Sequence, residues 1–162
     1  MPEQIVSALL WFCAIGSGLV AGLFFAFSTF IMPALARIAP SHGISAMQSI
    51  NSTILRSLFM PVFFGTTLAS AVLAVAAVMQ WGQPGILLML SGALVYILGM
   101  FICTAVCNVP LNNQLAAISA QSSEALPVWS RYLSRWTRWN HVRTIASTVA
   151  CSLFIAGLLR AG

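Results

Sequence analysis

The sequence carries very little charge, and this scarcity excludes most classes of protein. Only 6% of the 162 residues are charged, whereas 60% are hydrophobic; a soluble domain has about 25% charged residues. There is no lysine, and the only acids are Glu3 and Glu124. So little polar surface excludes a soluble globular domain, a disordered chain, a coiled coil and a collagen-like fibre. The chain is therefore predicted to be an integral membrane protein.

Several chemical signatures are missing as well. The four cysteines form neither a C-x-x-C motif nor a secreted disulfide framework, and we interpret them as reduced packing residues. There is no phosphate-binding loop and no dinucleotide fingerprint. Two histidines, one of them in a loop, argue against a bis-histidine haem. No acid lies within an apolar run, which disfavours an antiporter built on a membrane carboxylate.

Four apolar runs are long enough to cross a bilayer, which takes about 20 residues. They are predicted at about residues 5–32, 58–80, 85–107 and 142–159. The second and third are separated by a turn signal, Trp81-Gly82-Gln83-Pro84-Gly85. The first run is longer than a signal-peptide core and is interpreted as a permanent helix. The whole chain, 1–162, is thus predicted to be one all-α domain, a polytopic membrane four-helix bundle with short interfacial helices in its two long loops.

The basic residues are all arginines, and they are distributed unevenly. Six lie in or beside the two long loops: Arg37, Arg56, Arg131, Arg135, Arg138 and Arg143. Only Arg160 lies on the other side. By the positive-inside rule, the long loops are expected to face the cytoplasm and both termini to face outward, in an inner or plasma membrane. Since the arginines adjoin apolar runs, the lipid bilayer and not nucleic acid is the predicted partner.

Small residues recur every four positions along the first helix, at Ala14, Gly18, Gly22 and Ala26. Such a stripe allows helix backbones to approach closely in lipid. Packing within one chain is the favoured interpretation, and a homo-oligomer seam is the alternative.

Polar residues gather at the end of the bundle that carries the long loops. Asn108 and Asn112 are four residues apart, so they share a helix face, and Pro110 between them is expected to kink the helix. Helix capping and interhelical bonding form the alternative explanation for these amides.

The segment before the fourth span is the richest in functional groups. Tyr132, Trp136, Trp139 and Arg143 fall on one helical stripe, although aromatic residues and arginines are also typical of a membrane interface. His141 and Arg143 lie where the helix enters the membrane, a depth at which ionisable groups usually face the bundle interior. Histidine also titrates near neutral pH. A plain core or interface histidine is an equally good interpretation of His141.

Several motifs together resemble an anthrone-oxygenase-like membrane family, most of whose bacterial members are described as domains of unknown function. In chain order they are Gly18-Leu-Val-Ala-Gly22-Leu-Phe-Phe-Ala-Phe27, Met32-Pro33-Ala34-Leu35, Met47-Gln48-Ser-Ile-Asn51, Asn108-Val-Pro110-Leu-Asn112, and Trp136 with Trp139-Asn140-His141-Val-Arg143. Their order and spacing agree over nearly the whole chain. The resemblance implies oxidation of an anthrone to an anthraquinone by O₂ without an organic cofactor.

Together with residue chemistry, the resemblance implies a role for each polar group. His141 is the expected base, and Arg143, Asn108 and Asn112 are expected to stabilise an enolate oxygen. The pocket for a small, flat aromatic substrate is expected to use Trp136, Trp139, Tyr132, Asn140, Asn51, Phe24 and Phe27. No metal ligands are assigned, although Cys103, Cys107 and His141 at one depth leave a soft-metal site open.

Three other classes of function stay open. The same pocket would serve a protein that binds or transports a small hydrophobic compound without turnover. The glycine stripe would serve an accessory subunit of a larger membrane partner. A metal-dependent redox protein would contain stoichiometric metal or show a visible absorption band.

Overall fold

The protein is described here by a computed structural model of residues 2–161. In this range the chain forms five helices and no strand: α1 Glu3–Leu35, α2 Pro40–Ile54, α3 Phe59–Met79, α4 Ile86–Ala116 and α5 Ala125–Ala161. All but α2 are long and apolar enough to cross a membrane. The prediction of an all-α membrane bundle with four spans is confirmed.

Two of the spanning helices run well beyond their predicted ends. We expected spans at 85–107 and 142–159, but α4 continues to Ala116 and α5 begins at Ala125. The 37 residues of α5 measure about 55 Å, whereas the hydrocarbon core is about 30 Å thick. Its first half stays helical because Trp129, Tyr132 and Trp136 bury one face against the rest of the protein. A separate loop helix therefore exists only in the first long loop, as α2.

The buried residues form two clusters along the bundle. The larger lies between the four spanning helices and includes Leu10, Leu73, Tyr96 and Phe154. The second lies at the long-loop end, by which we mean the end formed by α2, the last turns of α4 and the first turns of α5. There α2 packs through Ile44 and Met47, and its neighbours include Leu115 and Trp129. We call the opposite end, where α3 turns into α4, the terminal end.

The short turn between α3 and α4 agrees with its sequence signal. Gly82 and Gly85 have φ values of 94° and 77°, a region that favours glycine because it has no Cβ atom. The four cysteines are all unpaired thiols, as predicted.

The close approach between α1 and α3 uses a glycine outside the predicted stripe. Ala14 is buried, but Gly22 is exposed and a Cβ atom there would meet nothing within 4 Å. Gly16, which lies outside the predicted stripe, is buried directly against the Thr66 side chain of α3. The stripe is only partly right. Gly18 faces Cys151 of α5, whereas the face that α1 presents to α3 is set by how α1 packs against both α3 and α5.

Three π-helical segments interrupt α1 and α4. They are Phe27–Ile31 in α1 and Ile97–Ile102 and Thr104–Asn108 in α4. Two of them end two residues before Pro33 and Pro110. These prolines lack a backbone N–H and crowd the preceding turn. The wider turns accommodate each proline, so α4 continues through Pro110 and is not broken there. Such π segments are frequent at functional sites.

Candidate functional site

Arg143 lies in the interior of the bundle, with only 4% of its side chain exposed. The guanidinium carbon is 4.1 Å from the ring centre of Phe24 and 5.0 Å from that of Trp136. One terminal nitrogen donates to Oδ1 of Asn140 at 2.7 Å, and the other lies 3.4 Å from Oγ1 of Thr104. Its Nε atom is buried without a partner. The guanidinium is thus clamped between aromatic rings, and its Nε–H group has no acceptor.

No acidic side chain neutralises this buried charge. The two acids of the chain, Glu3 and Glu124, are both exposed. A buried cation is costly unless an anion or several hydrogen bonds compensate it. Stacking on aromatic faces and bonds to neutral groups offset part of that cost. The site therefore has a positive charge that an anionic ligand would neutralise.

Asn140 fixes the position of Arg143. Its side chain is completely buried, and Nδ2 donates to the Phe24 carbonyl at 2.7 Å and to Oγ of Ser28 at 2.8 Å. Its Oδ1 accepts the bond from Arg143. Ser28 lies in the π segment of α1, so this amide ties the guanidinium to the helix opposite.

Asn108 contributes an unused acceptor to the same region. It is completely buried, and its Nδ2 donates to the Trp136 carbonyl at 3.2 Å. Only the NH₂ group can face a carbonyl oxygen, so this bond fixes the orientation of the amide. Its Oδ1 atom is left buried without a partner.

Asn112 organises the aromatic side chains beside Arg143. Its Oδ1 accepts two hydrogen bonds of 2.8 Å, from the Tyr132 hydroxyl and from Nε1 of Trp136. Nδ2 of Asn51, on α2, lies 3.3 Å from the Tyr132 hydroxyl. One network therefore connects α2, α4 and α5. It fixes the positions of Tyr132 and Trp136, and it does not direct the Asn112 amide toward Arg143.

Trp129, Tyr132 and Trp136 form a regular stack of aromatic rings along α5. Trp129 and Tyr132 are 5.8 Å apart at 13°, and Tyr132 and Trp136 are 5.7 Å apart at 20°. Phe27 meets Trp136 edge-on, with ring centres 5.6 Å apart. The ring faces are covered by one another and by the guanidinium, so these rings form a closely packed apolar surround for the charge.

The structure brings most of the predicted site residues together. We call the following set the Arg143 cluster: Arg143, Asn108, Asn112, Asn140, Asn51, Tyr132, Trp136, Phe24 and Phe27. His141 and Trp139 are outside it, because both side chains lie on the exposed face of α5. Each residue turns an α-helix by about 100°, so a helix that points Asn140 and Arg143 inward points His141 away. The expectation that His141 faces the interior is wrong.

Two hydroxyl residues of the site were missed by the sequence analysis. Thr104 contacts Arg143, and Ser28 binds Asn140. Thr104 had a usable signal, because it precedes Asn108 and Asn112 at the same spacing of four residues. Ser28 is a single hydroxyl in an apolar run and has no such signal.

Two further observations bear on ligands. Among the residues that the structure describes, no three His, Cys, Asp or Glu side chains are grouped as a metal would require. A cleft of about 490 Å³ opens at the terminal end, lined by residues such as Trp11, Gln80 and Arg160. The Arg143 cluster lies at the other end and is packed closed.

Comparison with known proteins identifies the family. The sequence model of the anthrone oxygenase family matches residues 58–153. This range covers α3, α4 and most of α5, including Asn108, Asn112 and Arg143, but it leaves out Phe24, Phe27 and Asn51. No curated protein and no solved structure matches the chain. Because the match spans more than half of the 162 residues, the chain belongs to the anthrone oxygenase family.

Proposed function

We propose that this protein is a membrane-embedded oxygenase that oxidises a polycyclic phenolic substrate of the anthrone type with O₂ and without an organic cofactor. Family membership supports an oxygenase in the broad sense. The observation that carries the substrate class is Arg143, a buried cation packed between aromatic rings with no acidic partner. Such a site is complementary to a flat aromatic molecule that carries negative charge on oxygen.

The chemistry of an anthrone fits this environment. Its methylene group, between two aromatic rings, is acidic, and loss of a proton leaves an electron-rich enolate. The enolate gives one electron to O₂, and the resulting radical and superoxide combine to form a carbon–oxygen bond. Loss of water then leaves the quinone, so that one anthrone and one O₂ become one anthraquinone and one water. An apolar site that stabilises the enolate oxygen favours the first step.

Specific atoms of the cluster have roles in this proposal. Nε of Arg143, which has no partner in the protein, donates to the enolate oxygen. Oδ1 of Asn108, the unused acceptor, takes a hydrogen bond from a phenolic hydroxyl of the substrate. Phe24 and Trp136, whose faces now cover the guanidinium, contact the substrate rings once the cluster has opened. Because these side chains are buried, the substrate enters only when the aromatic residues around Arg143 move aside.

The proposal is tested by oxygen uptake in chelator-treated membranes after addition of a simple anthrone. Arg143→Gln is expected to lower uptake above the autoxidation blank by about 100-fold or more, the usual cost of losing a donor to a developing oxyanion. Arg131→Gln is the matched control, because it removes the same charge from an exposed position of the same helix. It is expected to keep uptake at the wild-type level.

Two results would contradict the proposal. Equal uptake by wild type and Arg143→Gln would remove Arg143 from the reaction. Wild-type uptake no greater than the blank, with every anthrone tried, would remove the oxygenase activity.

A protein that binds or carries an aromatic anion without chemistry is the second candidate. It is favoured by the composition of the Arg143 cluster, which contains no carboxylate and no imidazole to act as a base. Such a protein would bind the product quinone and the substrate with similar affinity and would produce no turnover.

A further inference from the structure

The groups that face Arg143 come from three helices, and none is an obvious proton acceptor. From α1 there is Phe24, and from α5 there are Asn140, Tyr132 and Trp136. From α4 there are Thr104 and the thiols Cys103 and Cys107. The Tyr132 hydroxyl already donates to Asn112, and Cys103 lies 3.9 Å from the Trp139 carbonyl. General-base catalysis needs an acceptor within hydrogen-bond reach of the proton. Among the described residues, the groups around Arg143 include no carboxylate and no imidazole, and a neutral hydroxyl or thiol is a weak acceptor until it has lost its own proton.

What the site does provide is a fixed positive charge in an apolar surround. A cation within about 4–6 Å lowers the pKa of a neighbouring acid by about one to three units. The effect grows where water is excluded, because the effective dielectric constant falls. Arg143 is held in place by Asn140 and the two rings, so it need not reorganise to meet a ligand anion. The protein is therefore built to change the acidity of its ligand.

Building on the oxygenase function proposed above, we propose that Arg143 activates the substrate by holding it as its anion, and that no protein side chain acts as the base. The methylene proton passes to water at the membrane interface, and the electron pair stays on the enolate oxygen beside the guanidinium. Arg143 remains protonated throughout. The enolate then gives an electron to O₂ as described above. The ligands of this site are thus oxygen acids of flat polycyclic molecules, bound in their ionised form.

A product-like dye tests this inference without any turnover. The absorption band of 1-hydroxyanthraquinone moves to longer wavelength on ionisation, and the dye is already oxidised. Its apparent pKa would be measured in lipid nanodiscs that are empty or contain wild type, Arg143→Gln or Arg131→Gln. We expect wild type and Arg131→Gln to lower this pKa by about one to three units relative to empty nanodiscs. We expect Arg143→Gln to abolish the shift.

Other results of the titration would overturn the inference. An unchanged dye pKa in wild type, or an equal shift in Arg143→Gln, would show that Arg143 does not stabilise the anion. Helical circular dichroism and gel filtration check that the variants are folded.

A second measurement uses wild type alone, so it does not depend on whether a variant folds. The pH dependence of kcat/KM would be compared for two anthrones whose own acidities differ by about a unit or more. If the substrate anion is the bound form, the midpoint moves with the substrate. A midpoint that is the same for both would reveal a titrating protein group and overturn the inference.

The two proposals fail in distinguishable ways. A lowered dye pKa without uptake on any anthrone would leave the anion site standing and overturn the oxygenase. Uptake that requires Arg143 without a change in dye pKa would keep the oxygenase and overturn anion capture. Failure of the dye to bind at any pH, together with no uptake on any anthrone, would overturn both.

Discussion

Asn140 and His141 are adjacent in the sequence, but one side chain is buried in the bundle and the other is exposed. Asn140 is completely buried and makes three hydrogen bonds, to Phe24, Ser28 and Arg143. His141 is exposed. Arg143 is useful to a ligand only if its guanidinium is held between the two rings, and Asn140 is the residue that holds it. At the scale of single residues, the amide is therefore more important than the imidazole.

We expect Asn140→Ala to destabilise the protein by about 1–3 kcal/mol, because it leaves buried polar groups without partners. It should also reduce the shift in dye pKa, since Arg143 is no longer fixed.

His141→Ala, at the next position, should leave oxygen uptake within about twofold of wild type, whereas loss of a general base costs about 10²–10⁴-fold. Thermal unfolding in detergent and the dye titration measure the effects of Asn140→Ala, and oxygen uptake measures that of His141→Ala. A large loss of uptake in His141→Ala would restore the histidine to the mechanism.

At the scale of helices, two prolines and one glycine decide how the helices are shaped and packed. Pro33 and Pro110 are accommodated by π turns in α1 and α4, and those turns carry Ser28 and Thr104 to the site. Close contact between α1 and α3 depends on Gly16, which leaves room for the Thr66 side chain. Local backbone chemistry thus decides which helix faces meet.

Two glycines of α1 make a matched pair for testing this packing. Gly16→Ala would place a Cβ atom on the Thr66 hydroxyl, and we expect a loss of about 1–3 kcal/mol, as for other overpacked cores. In Gly22→Ala the new Cβ atom meets no other atom. We expect this variant to be neutral or to stabilise the protein by about 0.5–1 kcal/mol, because alanine leaves the unfolded chain fewer backbone conformations than glycine does. Unfolding temperatures in the same detergent compare them. Similar values for the two variants would contradict the predicted role of Gly16.

Over the whole molecule, exposed positive charge is concentrated at one end. Arg37, Arg56, Arg131, Arg135 and Arg138 are exposed and belong to the long-loop end, whereas Arg160 is at the terminal end. Arg143 drops out of the count because it is buried. Five arginines against one still favour long loops that face the cytoplasm. The Arg143 cluster would then lie on the cytoplasmic side.

Cysteine labelling tests this orientation. Gln83, in the short turn, and Gln121, in the second long loop, are both exposed and would each be changed to cysteine in a background without the native cysteines. A membrane-impermeant thiol reagent added to intact cells is expected to label Gln83→Cys, and to label Gln121→Cys only after permeabilisation. The reverse pattern would invert the topology and place the site on the outer side.

The amino-acid sequence alone determined the class of fold and the region of the site. Long apolar runs leave no choice but membrane-spanning helices, because backbone polar groups must be satisfied inside each segment. The positions of Asn108, Asn112 and Arg143 were readable because ionisable and amide groups are rare in such runs. The lack of an acid to pair with Arg143 was readable too, since the chain has only Glu3 and Glu124.

Only the tertiary structure decided which of those residues share an environment. Whether His141 or Arg143 points inward depends on the rotation of α5 about its axis, which is set by the packing of Trp129, Tyr132 and Trp136 far along the same helix. The unused atoms, Nε of Arg143 and Oδ1 of Asn108, are defined by hydrogen bonds between helices that are distant in the sequence. A sequence pattern gives the period of a helix, whereas its rotation and its partners come from the packing of all the helices together.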